Sequence, residues 1–134
     1  MAIRNLPLKS LLVNRANDRH GELENETAAI AWLFKEREQH MRNLAKDLAA
    51  SGEMYELPLV APQGRDFIVF DGNRRITCLK LLEDPRRAPS TELQAFFRGL
   101  KGQCKDSLFA SVQCQVEIDR DHIDEILYRR HTGT

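Results

Sequence analysis

Three observations predict one α+β domain, a small sheet packed with helices. Residues 111–118, SVQCQVEI, alternate apolar and polar side chains with the period of a half-buried strand. Residues 26–50 instead repeat apolar side chains at helical spacing. Strand-like and helical stretches succeed one another as β, α, α, β, β, α, α, β, α, with no internal repeat, low-complexity tract or linker. A chain of 134 residues can bury a single core. Residues 1–134 are therefore expected to form one domain, cut out of a longer protein.

Each element has a local reason. LKSLLVN, residues 8–14, reads as a first strand, and the charged, turn-rich RANDRHGELEN that follows reads as a loop. Asn25 is placed to cap a helix, with Glu26 in its first turn. Ala28, Ala29, Trp32 and Leu33 form the apolar face of a helix over 26–38. Met41, Leu44, Ala45 and Leu48 form that of a second, over 40–50 or continuous with the first across Gln39 and His40. Gly52 ends it, because glycine adopts the left-handed conformation of a helix C-terminus.

ELPLVAP, residues 56–62, and DFIVF, residues 66–70, flank the Gln63-Gly64-Arg65 turn and predict a hairpin, with Pro58 at a strand start or on an unpaired side. A helix continues from the Asp71-Gly72-Asn73 break to Glu83. DPRRAPS is a loop, 91–100 is a helix, and Asp121 caps a last helix bearing Ile123, Ile126 and Leu127. Trp32, Phe96 and Phe97 lie at core spacing.

Composition narrows the function classes. The chain has 20 Lys+Arg and 20 Asp+Glu, so it is no bulk polyelectrolyte binder. The charge is uneven, however: residues 72–105 carry eight basic and three acidic side chains, and residues 115–126 carry five acidic and one basic. Such a face suits a nucleotide or a DNA backbone, or it is ordinary solvated helix surface. No apolar run reaches membrane-spanning length and no signal peptide is apparent, so no membrane partner and a cytoplasmic location are expected. Cys78, Cys104 and Cys114 match no zinc spacing and read as buried or indifferent thiols.

The stretch with chemistry is FDGNRRITCLKLL, residues 70–82. Phe70 ends a strand, Gly72 lets the backbone turn and a ligand approach, and the helix that follows opens with free N–H groups. Arg74 and Arg75 add planar forks suited to phosphate. Two cations at a helix N-terminus cost roughly 0.3–1 kcal/mol each, a cost that a bound anion removes. The alternative is that either arginine pairs with Asp71 or Glu83 on the surface.

DGNRRIT, residues 71–77, resembles the second box of the ParB N-terminal family, G-E-R-R followed by an apolar helix. It is also similar to the D-G-Q-Q-R box of GmrSD-type modification-dependent restriction proteins. AKDLAASG at 45–52, the strand–turn–strand of 56–70 and the strand VQCQVEI are similar in order to the rest of that family. VNRANDR at 13–19 stands where its first box places an arginine loop. The resemblance implies a ParB/sulfiredoxin-like fold with a small mixed sheet, binding a nucleoside triphosphate of unspecified base, with Mg2+ as its companion. Gly72, Asn73, Arg74 and Arg75 would face the phosphates, joined by Arg19; apart from the resemblance, Arg129, Arg130 and His131 of the last helix can meet phosphate. Asp71 would orient a water or a metal, as the one candidate catalytic residue.

Two features depart from those families. The E-N-x-Q-R box of ParB proteins has no counterpart, since the corresponding helix reads EILYRRHTGT with Glu125 out of register. The sulfiredoxin cysteine position holds Asn73, and Cys78 falls on the apolar face of the next helix.

The reading that follows is a nucleotide-binding domain of a DNA-acting protein, in defence or partition, with NTP hydrolysis left open. A partner domain or second subunit, as in a homodimer, would complete any catalytic set. The alternatives are a nuclease or DNA-backbone clamp, with Asp71 and Asp18 or Glu125 holding a metal, and a non-enzymatic interaction module.

Overall fold

The computed structural model describes residues 2–17, 21–22, 25–54 and 56–132, with side chains for all but 17, 21, 22, 131 and 132. Its main sheet has five strands in the order β1 (Ala2–Leu6), β7 (Val112–Val116), β5 (Leu59–Gln63), β6 (Asp66–Asp71) and β2 (Leu11–Leu12). The sheet is mixed: β1–β7 and β5–β6 are antiparallel, whereas β5–β7 and β2–β6 are parallel. A second, two-stranded sheet joins β3 (Ala16–Asn17) to β4 (Gly21–Glu22) within the segment expected to be loop.

The N-terminus corrects the sequence reading. The strand expected at 8–14 is a 3-10 turn over Leu8–Ser10 followed by the short β2. Pro7 brings a pre-set φ of −60°, and Ser10 donates both its hydroxyl, at 2.7 Å, and its N–H to the Pro7 carbonyl. Leu8 and Leu11, three residues apart, are both buried, which is helical spacing. The unforeseen β1 runs antiparallel along β7, with Ala2 opposite Val116 and Leu6 opposite Val112. It is an edge strand exposed at every residue except Leu6, so it carries no apolar alternation.

The first long helix, α1 (Glu26–Ser51), begins as expected: the Asn25 side chain accepts a hydrogen bond from Ala28 N–H at 2.9 Å. It ends at Gly52, with φ 68° and its N–H on the Leu48 carbonyl. The two helical segments read in the sequence are one element broken at Arg37, whose φ −142° and ψ 42° are not helical. The hairpin forms as expected, with β5 shifted to start after Pro58 and a bulge between Leu59 and Val60.

Three helices cover one face of the sheet: α1, α2 (Asn73–Glu83) and α3 (Thr91–Lys101). Every residue of α2 from Ile76 to Leu82 is buried, so this helix lies inside the layer rather than on it. Phe97 is fully buried, edge-on to Phe34 at 5.9 Å and to Phe96 at 5.1 Å. Trp32 and Phe96, expected in the core, are half-buried at its rim. After the one-turn α4 (Ser107–Ala110) and β7, the last helix α5 (Arg120–Thr132) crosses the opposite face. There Leu59, Ala61 and Ile123 form a small second core with Ile68, Phe70, Ile126 and Leu127. The three cysteines are free thiols; burial pushes Cys78 up to about 12 and Cys114 to about 11, which leaves both inert at neutral pH.

Lys80 is charged and only 5% exposed inside this core. Its ammonium meets Glu26 Oε2 at 3.0 Å, and the same oxygen accepts the Val13 N–H at 2.7 Å. Glu26 Oε1 accepts from Arg87 Nη2 at 2.7 Å. One carboxylate thus joins the start of α1, the middle of α2, the loop after it and the segment following β2.

Candidate functional site

The site grows from the end of β6. Gly72 caps α2 with φ 96°, a left-handed conformation that L side chains rarely adopt. A Cβ built there would lie 3.3 Å from both Pro58 Cα and Cβ, so the turn is pressed against the residue that leads into β5. Gly72→Ala is expected to cost roughly 1–3 kcal/mol and to weaken ligand binding by displacing α2's first turn. Chemical denaturation of the variant measures the first, and a wild-type midpoint would show that the turn tolerates a side chain.

Asn73 is the clamp of the turn. Its Nδ2 donates to the Val69 carbonyl at 3.0 Å and its Oδ1 accepts the Asn14 N–H at 2.8 Å. Its side chain therefore ties the segment after β2 to the mouth of α2, and its own backbone N–H remains at the helix opening. Asn14 in turn holds the Ala16 N–H at 2.9 Å and lines a cavity of about 380 Å³ on the α5 face. Arg120 and Phe70 also line that cavity, with the guanidinium 4.6 Å from the ring centroid.

The two arginines leave α2 in different directions, as neighbouring helical residues must. Arg74 Nη1 reaches toward α1, 3.4 Å from His40 Nε2. Arg75 Nη1 lies 3.8 Å from Glu56 Oε2, a loose contact with a carboxylate that is 71% exposed. Neither surface pairing anticipated for them, with Asp71 or with Glu83, is the one these contacts show. Burial and then the positive charges of Arg74, Arg37 and Arg75 push His40 below the usual histidine range. The kink in α1 thus brings His40 beside Arg74 at the mouth of α2, within the field of Arg37 and Arg75. Arg37 and His40 were missed in the sequence, where they sit inside the charged run KEREQH with no spacing to mark them.

Asp71 and Arg130 meet each other. Arg130 Nη1 donates to Asp71 Oδ2 at 2.9 Å and to the Leu57 carbonyl at 2.9 Å, while Nη2 donates to Gln115 Oε1 at 3.1 Å. Both side chains are 24% exposed. Asp71 and Arg130, expected at a catalytic and a phosphate position, are here paired with one another, and the guanidinium fork is engaged by protein acceptors. Glu125, the other acid considered, pairs with Arg129 one turn along the exposed face of α5 at 3.0 Å. Among the described residues no three of His, Cys, Asp and Glu gather into a group that could hold a metal ion. Arg19, Asp18 and the side chain of His131 lie outside the described residues. Nor, among the described residues, is any helix long and apolar enough to cross a membrane.

No family model matches the chain, and no curated protein does. Among solved structures it is similar to the C-terminally truncated chromosome-partitioning protein ParB of Caulobacter crescentus, complexed with CTP-γ-S. The TM-score is 0.55 at 14% identity, over 100% of this chain and 54% of that one. It is also matched to sulfiredoxin of Arabidopsis thaliana, with a TM-score of 0.43 at 12% identity over 95% of this chain and 98% of that one. The chain spans about half the length of the ParB structure. The chain shares its mixed α/β fold, a five-stranded mixed sheet packed with helices, with that ParB structure.

Proposed function

We propose that the domain binds a nucleoside triphosphate as the ParB-like module of a DNA-acting protein, with the phosphates held at the turn Gly72–Arg75. The observation that carries this reading is the glycine-pressed turn that presents the first N–H groups of α2 together with Arg74 and Arg75. The likeness in fold to a ParB solved with a CTP analogue supports it. Arg74 and Arg75 would neutralise phosphate charge, and the Asn73 side chain holds the turn's shape while its backbone N–H faces the ligand. Arg19, in the segment between the small strands, is placed by sequence to join them.

Among the described residues no carboxylate cluster could hold magnesium, and Asp71 pairs with Arg130. Binding is the function that the described side chains at this turn support. Work on DNA would fall to an adjoining domain or a second subunit.

Thermal denaturation with ATP, GTP and CTP tests the reading. A nucleotide at a hundred times its Kd stabilises the fold by about 2.7 kcal/mol, a rise in Tm of several degrees. Arg74→Ala is expected to weaken that binding by about 10–100-fold, the value of one charge-assisted hydrogen bond to phosphate. No shift with any of the three nucleotides would overturn the proposal.

A further inference from the structure

The kink of α1 falls between the buried Phe34 and Met41, and it brings His40 to the side of α2 from which Arg74 projects, with Arg37 near enough to act on the ring. Arginine can only donate, so the Arg74–His40 contact requires Nε2 to be the bare nitrogen of a neutral ring. Three guanidinium groups around one imidazole repel one another, and nothing in apolar packing rewards this: Arg37 and His40 are both exposed. The charged groups acting on His40 are Arg37 on its own helix and Arg74 and Arg75 on α2. Glu56, before β5, touches the cluster through its loose contact with Arg75.

We propose that Arg37 and His40 form the second wall of the phosphate site, so that an oligophosphate lies between the kink of α1 and the mouth of α2. This rests on the nucleotide reading above and extends it. A single phosphate spans one wall, whereas a di- or triphosphate can take Arg74 and Arg75 on one side and Arg37 and His40 on the other.

The arrangement has a consequence in protons. With the site empty, His40 is neutral and accepts from Arg74. An anion between them draws Arg74 away and replaces a repulsive field with an attractive one, so the ring takes up a proton on binding. Affinity therefore rises as pH falls through the histidine range. That sign is opposite to the behaviour of the ligand, whose own negative charge grows with pH.

Inorganic tripolyphosphate and the whole 134-residue chain provide the test. The His40 ring resonance, assigned by its loss in His40→Gln, is expected to titrate below the usual histidine range in the free protein and above it in the complex. Relative to His40→Gln, wild-type affinity should fall by about tenfold between about pH 6 and pH 8. Arg37→Ala should weaken binding at least threefold at about pH 7, with its thermal midpoint unchanged because the side chain is exposed. If tripolyphosphate binds, Arg74→Ala weakens it by about 10–100-fold, and yet His40 titrates identically with and without ligand and Arg37→Ala binds as tightly as wild type, the second wall is refuted while the phosphate site stands. If neither tripolyphosphate nor any nucleotide binds, the phosphate site falls and the second wall with it.

Discussion

Glu26→Ala is expected to destabilise the domain by about 3–5 kcal/mol, the largest effect of any single polar substitution in it. The loss is not that of a salt bridge alone. Removing the carboxylate strands the Lys80 ammonium at 5% exposure in the core, and it leaves the Val13 N–H and one arm of Arg87 without their acceptor. In a chain of this size the thermal midpoint should drop by roughly 10–20 °C. Glu26→Gln, which keeps one acceptor oxygen, should lose less. Adding Lys80→Met to either should recover stability, because it removes the stranded charge.

The same cluster sets an acid limit. Burial alone would raise the pKa of Glu26, but the Arg87 hydrogen bond, the Val13 N–H and Lys80 outweigh it and hold it below its ordinary value of 4.5. A carboxylate depressed in the folded state stabilises above its unfolded value and loses that contribution as pH falls through its folded value. Urea titrations at neutral pH and again in the acid range should therefore show the gap between wild type and Glu26→Gln narrowing on acidification. A gap that stays constant would show that the carboxylate's charge is immaterial.

Arg130→Ala is expected to cost about 2–3 kcal/mol and to loosen α5 first. The guanidinium joins the sheet at three points, Asp71, Gln115 and the Leu57 carbonyl, with partial exposure reducing what a fully buried pair would be worth. Arg130→Lys should restore only part of the loss, since an ammonium cannot span the three acceptors as a planar fork does. Amide exchange across 120–132 would report the loosening directly. A variant within 0.5 kcal/mol of wild type would mean that α5 is held by Ile123 and its apolar neighbours alone.

What could be read from the sequence was what short-range chemistry controls. The Asn25 cap, the Gly52 stop, the hairpin around Gly64 and the alternation of β7 each follow from neighbours a few residues away. Gly72 was recognisable because only a residue without a Cβ suits that turn. Long-range partners were not recognisable: Asp71 and Arg130 are 59 residues apart, and Glu26 and Arg87 are 61. Each is an ordinary surface residue until the topology joins them. The β1 strand escaped because hydrogen bonds to β7, rather than side-chain pattern, make it a strand, and the 8–14 strand was overread because buried leucines three residues apart suit a 3-10 turn.

The enclosure of α2 also governs how a guest would be received. Seven consecutive residues of that helix are sealed in the interior, so its opening cannot tilt without disturbing packing on every side. The socket's shape is therefore settled when the chain folds, and only the guanidinium arms at its lip are left to adapt. Little ordering of main chain then remains for the moment of capture, and arrival should be quick and nearly rigid. A cavity cut deep in the protein, as by Leu81→Ala, would be felt at the rim as a loosened grip.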